Sequence, residues 1–440
     1  MNAPSPIDRI AASHAGLAPA LGGGPAWTRR RARSLDALVA RGLPDRRDEN
    51  WKYLDHAHLA EYRFDPAARA AVGAPELAPR LLPIGDARRV VLVDGRLDGR
   101  LSDFSGTEGL EVLDLGQLLE RDPQAALALL RAPGEDADDR YALLADAFAA
   151  CGAVIRVAPG ATLREPVCLV HVSTAAAEAT HQARVVIEIG AGAKLTLVEH
   201  FLALGSEATL GNLAAELAVG PEAEVVHVRL HEHGPAAALV ETWVTRLAAG
   251  ARYDQHLLVL GGRLVRSNLR LSLDGRAAAC RLAGLFMADG ERQADLHTQV
   301  AHHGAATVTQ QDFRGIAAGR GRGAFNGRIV MHPTARGANA SQNSRNLLLS
   351  PLAEINARPQ LEIHVDDVQC RHGATTGTLD EAQLFYLRSR GLDPATARAL
   401  LTFAFCQDII GRLPLPELRA VAESLVVGAL PDRDLIRGLV

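Results

Sequence analysis

Lysine is nearly absent from this sequence. The chain has 440 residues and 47 basic side chains, of which only Lys52 and Lys194 are lysine. A phosphate-binding P-loop requires a Gly-Lys-Ser/Thr sequence, and neither lysine lies in one. The composition therefore excludes ATP hydrolysis at a Walker-type site within this chain.

Aromatic residues and net charge are also low. Phe, Trp and Tyr together make up 4% of the chain, which argues against aromatic platforms for sugars or single-stranded nucleic acid. The formal net charge is -4, so no overall basic field attracts nucleic acid or an anionic membrane. We expect neither of these as a partner.

Cysteines are few and scattered. The five are Cys151, Cys168, Cys280, Cys370 and Cys406. Their odd number and the lack of a Cys-x-x-Cys pair are typical of reduced thiols in a cytosol-like compartment. The N-terminal residues carry no basic region followed by an apolar stretch, and no apolar run is long enough to span a membrane. We therefore expect a soluble cytoplasmic protein.

Three zones differ in the spacing of their apolar residues. Residues 1–150 are predicted to be mainly helical. Residues 151–378 consist of short alternating apolar runs separated by Gly, Pro, Asp and Asn, which predicts β-strands. Residues 379–440 are predicted to be helical, and these helices are either a docking module or a cap folded onto the β-region.

A turn motif recurs through the β-region. Each copy places a glycine before a small residue and a new apolar run. The glycines are Gly160, Gly192, Gly220, Gly250 and Gly275, at intervals of 32, 28, 30 and 25 residues. Such a period predicts stacked strand coils, as in a parallel β-helix, but turns also recur often in a β-sandwich. The pattern alone does not separate these two folds.

Several histidines lie on predicted strands. His227, Arg229, His231 and His233 alternate along one strand face and could converge on a metal, although a solvent-facing polar strand is the commoner arrangement. A second group has no tight ligand spacing. It comprises Asp295, His297, His302 and His303.

The best candidate site is Cys370-Arg371-His372. In an extended segment Cys370 and His372 project from the same face, and His364 and Asp366 share that face if the strand is regular. A thiol beside an imidazole and a guanidinium is expected to have a lowered pKa. Thiolate and imidazole suit iron or zinc, but two ligands do not complete a tetrahedral site. A second chain or an external ligand would supply the others; the alternative is a partly buried cysteine with a chance histidine neighbour.

Five longer segments are distinctive. The most specific is PQLEIHVDDVQCRHGATTGTLDEAQLFYLRSRG over residues 359–391. The others are RRDENWKYLD (46–55), DLHTQVAHHG (295–304), GAFNGRIVMHP (323–333) and SQNSRNLLLS (341–350). In this order along the chain they resemble the SufB/SufD family of iron–sulfur cluster assembly proteins, and its SufD branch most.

The resemblance implies a fold, partners and a site. The fold is a right-handed parallel β-helix flanked by N-terminal and C-terminal helical regions. The implied partners are a SufB-like paralogue, paired through the β-helix, and a SufC-type ABC ATPase docked on residues 380–440. Cys370 and His372 match the family's Cys-x-His-Gly-Ala-Thr segment, which is implicated in holding a nascent, transient Fe–S cluster at the interface between the two paralogues.

We therefore predict a non-catalytic scaffold subunit that builds and transfers nascent Fe–S clusters and holds no cofactor stably itself. A surface suited to a close paralogue also predicts a possible homodimer when the chain is isolated. Two alternatives remain open at this point, a β-helix enzyme acting on polysaccharide and a stand-alone metal-binding protein.

Overall fold

The computed structural model shows a solenoid of β-strands with helices before and after it. It describes residues 5–22, 24–54, 59, 62–66, 72–130, 139–174, 179–430 and 435. The strands are β1 (Arg63–Pro66), β2 (Arg88–Val93), β3 (Arg96–Leu97), β4 (Leu110–Asp114), β5 (Gly152–Val157), β6 (Val167–Ser173), β7 (Ala179–Ile189), β8 (Lys194–Ala203), β9 (Thr209–Val219), β10 (Glu224–Glu232), β11 (Ala238–Leu247), β12 (Arg252–Val259), β13 (Leu264–Leu273), β14 (Ala279–Ala288), β15 (Gln293–His302), β16 (Val308–Ala317), β17 (Arg322–Met331), β18 (Ala338–Leu348), β19 (Glu354–Ile363) and β20 (Val368–Gly377).

The α-helices lie in two groups. They are α1 (Pro6–Leu17), α2 (Gly24–Arg41), α3 (Ala74–Leu77), α4 (Leu115–Arg121), α5 (Pro123–Leu129), α6 (Arg140–Phe148), α7 (Glu381–Ser389), α8 (Pro394–Ile410) and α9 (Pro416–Ala429). Within the described ranges, none of them is long and apolar enough to cross a lipid bilayer.

The strands alternate between two sheets. Sheet A has the order β19-β17-β15-β13-β11-β9-β7-β5-β4, with β1 also paired to β7, and sheet B has the order β20-β18-β16-β14-β12-β10-β8-β6-β2-β3. From β5 and β6 onward, every strand pairs in parallel with the strand two places later in the chain. Each coil therefore adds one strand to each sheet, which confirms the parallel β-helix and excludes the sandwich.

The recurring glycines lie at the corners between coils, and they meet two different requirements. Gly192 has a φ of 67° and donates its amide to Pro221 O at 2.8 Å in the next coil. That left-handed conformation disfavours any residue with a Cβ. At Gly275 the requirement is space, since a Cβ there would lie 2.0 Å from the backbone nitrogen of Ala249. The spacing of the recurring glycines in the sequence therefore corresponds to the spacing of the corners along the solenoid.

Apolar side chains fill the space between the sheets. They come from alternate positions of each strand, because successive strand residues point to opposite faces. On β13, for example, Leu269, Leu271 and Leu273 all belong to this inner core and are at most 2% exposed. The opposite faces of the strands are free to contact the helices.

The N-terminal region is built into the solenoid rather than standing apart from it. Four of the strands lie within residues 1–150, and β2 pairs in parallel with β6 while β4 pairs in antiparallel with β5. Helix α6 is buried over its whole length. Its Asp146 forms an ion pair with Arg30 of α2 at 2.8 Å, which fixes the two helices together against sheet A.

Two of the C-terminal helices begin at aspartate N-caps. The side chain of Asp380 accepts from the amides of Ala382 and Gln383, and Asp393 precedes the proline that opens α8. Asp393 also accepts from the amides of Ala395 and Thr396. Both are N-caps that satisfy donors otherwise left unpaired at a helix start.

Helices α8 and α9 lie along the outer face of sheet B and do not cover the end of the solenoid. Phe403, Cys406 and Ile409 pack in one cluster with Val228 and Leu285 of the sheet. The ion pair between Arg412 and Asp312 (2.8 Å) links the helices to β16. The C-terminal helices are thus folded onto the side of the β-region, with their apolar face against sheet B.

Candidate functional site

The C-terminal end of the solenoid presents two strand edges. Strand β19 is paired only to β17, and β20 only to β18, among the strands that the structure describes. Most residues of β20 are exposed, and those of β19 are mostly half-buried. Edge strands carry unpaired backbone N–H and C=O groups, which can accept a strand of another chain.

Cys370 and His372 lie on β20 at this open edge. In register with β18, Cys370 is opposite Ala340 and His372 is opposite Gln342. Both β18 residues are buried on the inner face of the solenoid, with 0% and 2% exposure. Cys370 and His372 therefore share the inner face of the last coil, while the intervening Arg371 is directed to the opposite face.

The thiol of Cys370 is half-buried. It packs against an apolar cluster that includes Ile329, Met331 and Ala340. Burial raises the pKa of this thiol, so the expected lowering is wrong. The physical reason is that Arg371 points away from the thiol and apolar side chains surround it. Burial therefore favours the neutral thiol at Cys370 in the folded chain.

His364 and Asp366 do not join this face. Strand β19 ends at Ile363 and β20 begins at Val368, so these two residues lie in the corner between two different sheets. The imidazole Nε2 of His364 instead lies 2.8 Å from Glu362 Oε1. The prediction assumed one continuous strand over this segment, and the corner makes it wrong.

The other four cysteines are buried. Burial raises the pKa of Cys168, Cys280 and Cys406 to about 12 in each case. The Cys151 thiol donates to the backbone carbonyl of Gln182. Cys370 is thus the one cysteine of the five that is accessible for chemistry in the folded chain.

The histidine strand β10 faces inward, not toward solvent. His227, Arg229 and His231 are all 0% exposed and point into the solenoid. Together with three side chains from neighbouring strands they form a group that we call the buried polar cluster. Its members are His171, Glu199, His227, Arg229, His231 and Glu241.

Two carboxylates organise the buried polar cluster. Glu199 contacts His171 through Oε1 (3.0 Å to Nε2) and His227 through Oε2 (3.1 Å to Nε2). Glu241 forms an ion pair with Arg229 and lies 3.4 Å from Nε2 of His231. Neither carboxylate was predicted from the sequence. Each is a single acidic residue within an apolar strand, and its distance along the chain from β10 follows no recognisable pattern.

Ion pairing keeps these carboxylates charged despite their burial. Burial alone raises the pKa of Glu199, but its hydrogen bonds with His171 and His227 lower it to about 2. Burial likewise opposes the charge of Glu241, and Arg229 and His231 bring its pKa below the ordinary value. Within the described residues, no group of three or more His, Cys, Asp or Glu side chains is placed to hold a metal ion. The cluster is an internal ion-pair network.

The second histidine group is divided among three environments. Asp295 and His297 contact each other on the outer face of sheet A, at 2.9 Å between Oδ1 and Nε2. His302 is buried inside the solenoid against the hydroxyls of two threonines. The ring of His303 stacks on that of His332 at a corner, with 3.9 Å between centroids. The structure does not bring this group together.

The fold and the site together describe a parallel β-solenoid whose open last strand carries a cysteine and a histidine. A family profile described as "SUF system FeS cluster assembly, SufBD core domain" matches residues 171–405, from β6 into α8. The chain belongs to this SufBD family of the SUF system for Fe–S cluster assembly, which confirms the resemblance found in the sequence.

Particular relatives point to the SufD branch. The chain is 30% identical to the iron-sulfur cluster assembly protein SufD of Escherichia coli over 378 residues, which is 85% of this chain and 86% of that protein. It is 27% identical over 399 residues to a SufBD family protein of Synechocystis, covering 89% of this chain and 88% of the relative. A shorter match, 27% over 238 residues, is with SufD of Bacillus subtilis and covers 53% of this chain and 54% of that protein.

Proposed function

We propose that this chain is a non-catalytic scaffold subunit of a SUF complex. It pairs with a SufB-like paralogue at the open edges of β19 and β20 and carries a SufC-type ATPase on residues 380–440. Cys370 and His372 contribute two ligands to the nascent cluster at the paralogue interface, and the cluster is cargo that is handed on.

The position of Cys370 and His372 on the last strand is the observation that carries this proposal. A cysteine and a histidine on adjacent inner-face positions supply only two ligands, so the remaining ligands must come from beyond β20. The backbone edge of β20 is where another chain can add a strand. The same edges would allow two copies to pair when the paralogue is absent.

Helix α7 supports the proposed ATPase contact. It precedes the two docked helices and has no buried residue, and its Phe385 and Tyr386 are 72% and 57% exposed. Exposed aromatic residues are enriched at protein interfaces, and this chain has few aromatic residues to expose. The two rings therefore suit a protein partner better than free solvent.

The site is tested in a complex co-expressed with the SufB-like and SufC-type partners under anaerobic conditions. We expect Cys370→Ala and His372→Ala to lower the iron and sulfide content of the purified complex while the subunits still co-purify. Arg371→Ala is the matched control, because it lies on the same strand but on the opposite face. Full cluster content in both site variants would refute the assignment.

The ATPase contact is tested separately. We expect the double variant Phe385→Ala/Tyr386→Ala to lose co-purification of the ATPase but to keep the paralogue. Val39→Ala, at an exposed apolar position of α2, is the control for loss of surface apolar area. Undiminished ATPase binding by the double variant would remove α7 from the interface.

A further inference from the structure

A polar groove lies on the outer face of sheet A, away from Cys370. It runs across β13, β15, β17 and β19, beyond the part of the sheet that α6 covers. The cavity volume is about 150 Å³, which is roughly the share of five water molecules in the liquid. A small ion or the charged end of a larger molecule fits this space.

The lining of the groove is cationic. Four arginines, Arg266, Arg270, Arg328 and Arg358, line it together with His297, and every other polar side chain in the lining is an amide or a hydroxyl. No carboxylate belongs to this lining. Each arginine has a carboxylate as an ion-pair partner, and none of these carboxylates lines the cavity. The pairs are Arg266 with Asp295, Arg270 with Asp139, Arg328 with Glu362 and Arg358 with Glu49.

Two of these arginines have side chains that are partly exposed. Arg328 forms an ion pair with Glu362 through Nη2, and its side chain is 43% exposed. Arg358 forms an ion pair with Glu49, with 2.6 Å between Nη1 and Oε1, and its side chain is 35% exposed. A guanidinium group has five N–H donors, and one ion pair of this kind engages only part of that fork. The remaining donors of Arg328 are available to a second anion. Nε and Nη2 of Arg358 also face the side-chain amide of Gln360 in the same lining, so only part of its fork is left for a ligand.

A third arginine makes the floor of the groove rigid. Arg266 is 1% exposed, donates from Nε to Asn268 Oδ1 at 2.8 Å and from Nη1 to Asn50 O at 2.6 Å. Its guanidinium also stacks on the ring of Trp51, 4.2 Å from the ring centroid. The segment around Asn50 is thereby fixed as one wall, and Asn50 also accepts from Asn326 across the groove.

From this arrangement we infer that the groove binds a phosphate group, either free or at the end of a phosphate ester. Guanidinium groups match the oxygen spacing of phosphate and bind it in a bidentate manner. The groups already in place hold the donors at fixed positions before a ligand arrives, which reduces the ordering that binding requires. This inference concerns a site separate from Cys370 and His372 and does not depend on the proposed scaffold role.

The test is isothermal titration of the full-length chain with sodium pyrophosphate and with ADP, at constant ionic strength balanced with sodium chloride. We expect saturable binding of pyrophosphate, with a Kd of about 1 mM or below. Arg328→Gln and Arg358→Gln should each weaken binding about tenfold, the size of one charge-assisted hydrogen bond. Arg281→Gln is the matched control, because Arg281 is exposed and paired with Asp254 on the other sheet.

Each outcome decides the question. The site is supported if pyrophosphate binding is saturable, is weakened by both groove variants and is unchanged by Arg281→Gln. If ADP then binds more tightly than pyrophosphate, the natural ligand is a phosphate ester. Equal or weaker binding of ADP assigns the site to the free anion. No saturable heat up to about 10 mM pyrophosphate, or equal weakening by Arg281→Gln, overturns the inference. Circular dichroism of each variant verifies that the solenoid is folded, and Arg358→Gln replaces Arg328→Gln if the latter misfolds.

Discussion

Replacing Arg229 with methionine should destabilise the solenoid from its centre. Methionine has a similar length and no charge, so it keeps most of the packing but removes the cation of the buried polar cluster. Arg229 is 0% exposed, forms an ion pair with Glu241 and lies 3.4 Å from Glu199, with its guanidinium 5.0 Å from the ring centroid of Trp243. The variant leaves Glu241 buried with only His231 as an ion-pair partner.

The expected loss of stability follows from the distances. Two unit charges about 4 Å apart attract by about 4 kcal/mol at an effective dielectric constant of about 20. Measured losses on removing one partner of a buried ion pair are about 3–5 kcal/mol, because the other charge stays buried. We therefore expect a loss of about 4 kcal/mol in the free energy of unfolding at pH 7.5. By contrast, Arg281→Met, at an exposed ion pair, should change it by less than about 1 kcal/mol.

The loss should also depend on pH in a defined direction. Without Arg229, burial raises the pKa of Glu241 in the folded chain above its value in the unfolded chain. A group with a raised folded-state pKa binds its proton more readily when folded, so lowering the pH stabilises the variant relative to the original protein. The difference in stability should therefore shrink as the pH falls from about 7.5 toward the ordinary pKa of a glutamate, about 4.3.

Urea unfolding followed by circular dichroism measures both effects. The double variant Arg229→Met/Glu241→Gln should recover most of the lost stability, because it removes the stranded carboxylate as well. The reasoning fails if Arg229→Met loses less than about 1 kcal/mol, as a surface pair would. It also fails if the double variant is no more stable than the single one.

Three further predictions concern other parts of the chain. Phe403→Ala should lower the free energy of unfolding by about 3–5 kcal/mol and raise hydrogen exchange in α8, because it empties a buried position against sheet B. Phe385→Ala, at an exposed position, should change the free energy of unfolding by no more than about 0.5 kcal/mol. Equal effects of the two substitutions would contradict the docking of α8. Alkylation of Cys370 by iodoacetamide, followed by mass spectrometry, should reach half its maximal rate at a pH above about 8.5, since burial raises the pKa of this thiol; a midpoint below about 8 would show a thiolate-stabilising neighbour. Stability should fall as the pH drops from about 6.5 to about 4, because burial lowers the pKa of His302 to about 4 and the unfolded chain takes up the proton first; His302→Gln should make the urea midpoint less dependent on pH in this range.

The spacing of the coils is the feature of the fold that could be predicted from the sequence. Gly192 is required by its left-handed backbone conformation, and Gly275 by the close approach of the Ala249 backbone. Both requirements are met by glycine, so both corners are visible in the sequence. The N-caps Asp380 and Asp393 are local signals of the same kind. Periodicity alone did not distinguish the β-helix from a sandwich, because the two folds differ in which strands pair. The family resemblance was what favoured the β-helix.

The electrostatic environment of the candidate site could not be predicted in this way. The sequence places Arg371 and His372 next to Cys370, but alternation along β20 turns Arg371 to the other face and leaves the thiol against apolar side chains. The inward direction of β10 was missed for a related reason. The partners of His227 and Arg229 are Glu199 and Glu241, on strands elsewhere in the sequence, and only the register of the coils brings them together.

The stacking of coils one upon the next has a consequence for synthesis of the chain. From β7 onward each strand pairs with the strand two places before it, so a coil can dock on a template already in place as soon as it has left the ribosome. Helices α8 and α9 share an apolar cluster with sheet residues from Cys168 to Leu347, and this packing surface is complete only after the last of these strands has formed. During synthesis the coils can therefore be completed in order from the amino end, and the open strand β20 is one of the last elements to emerge.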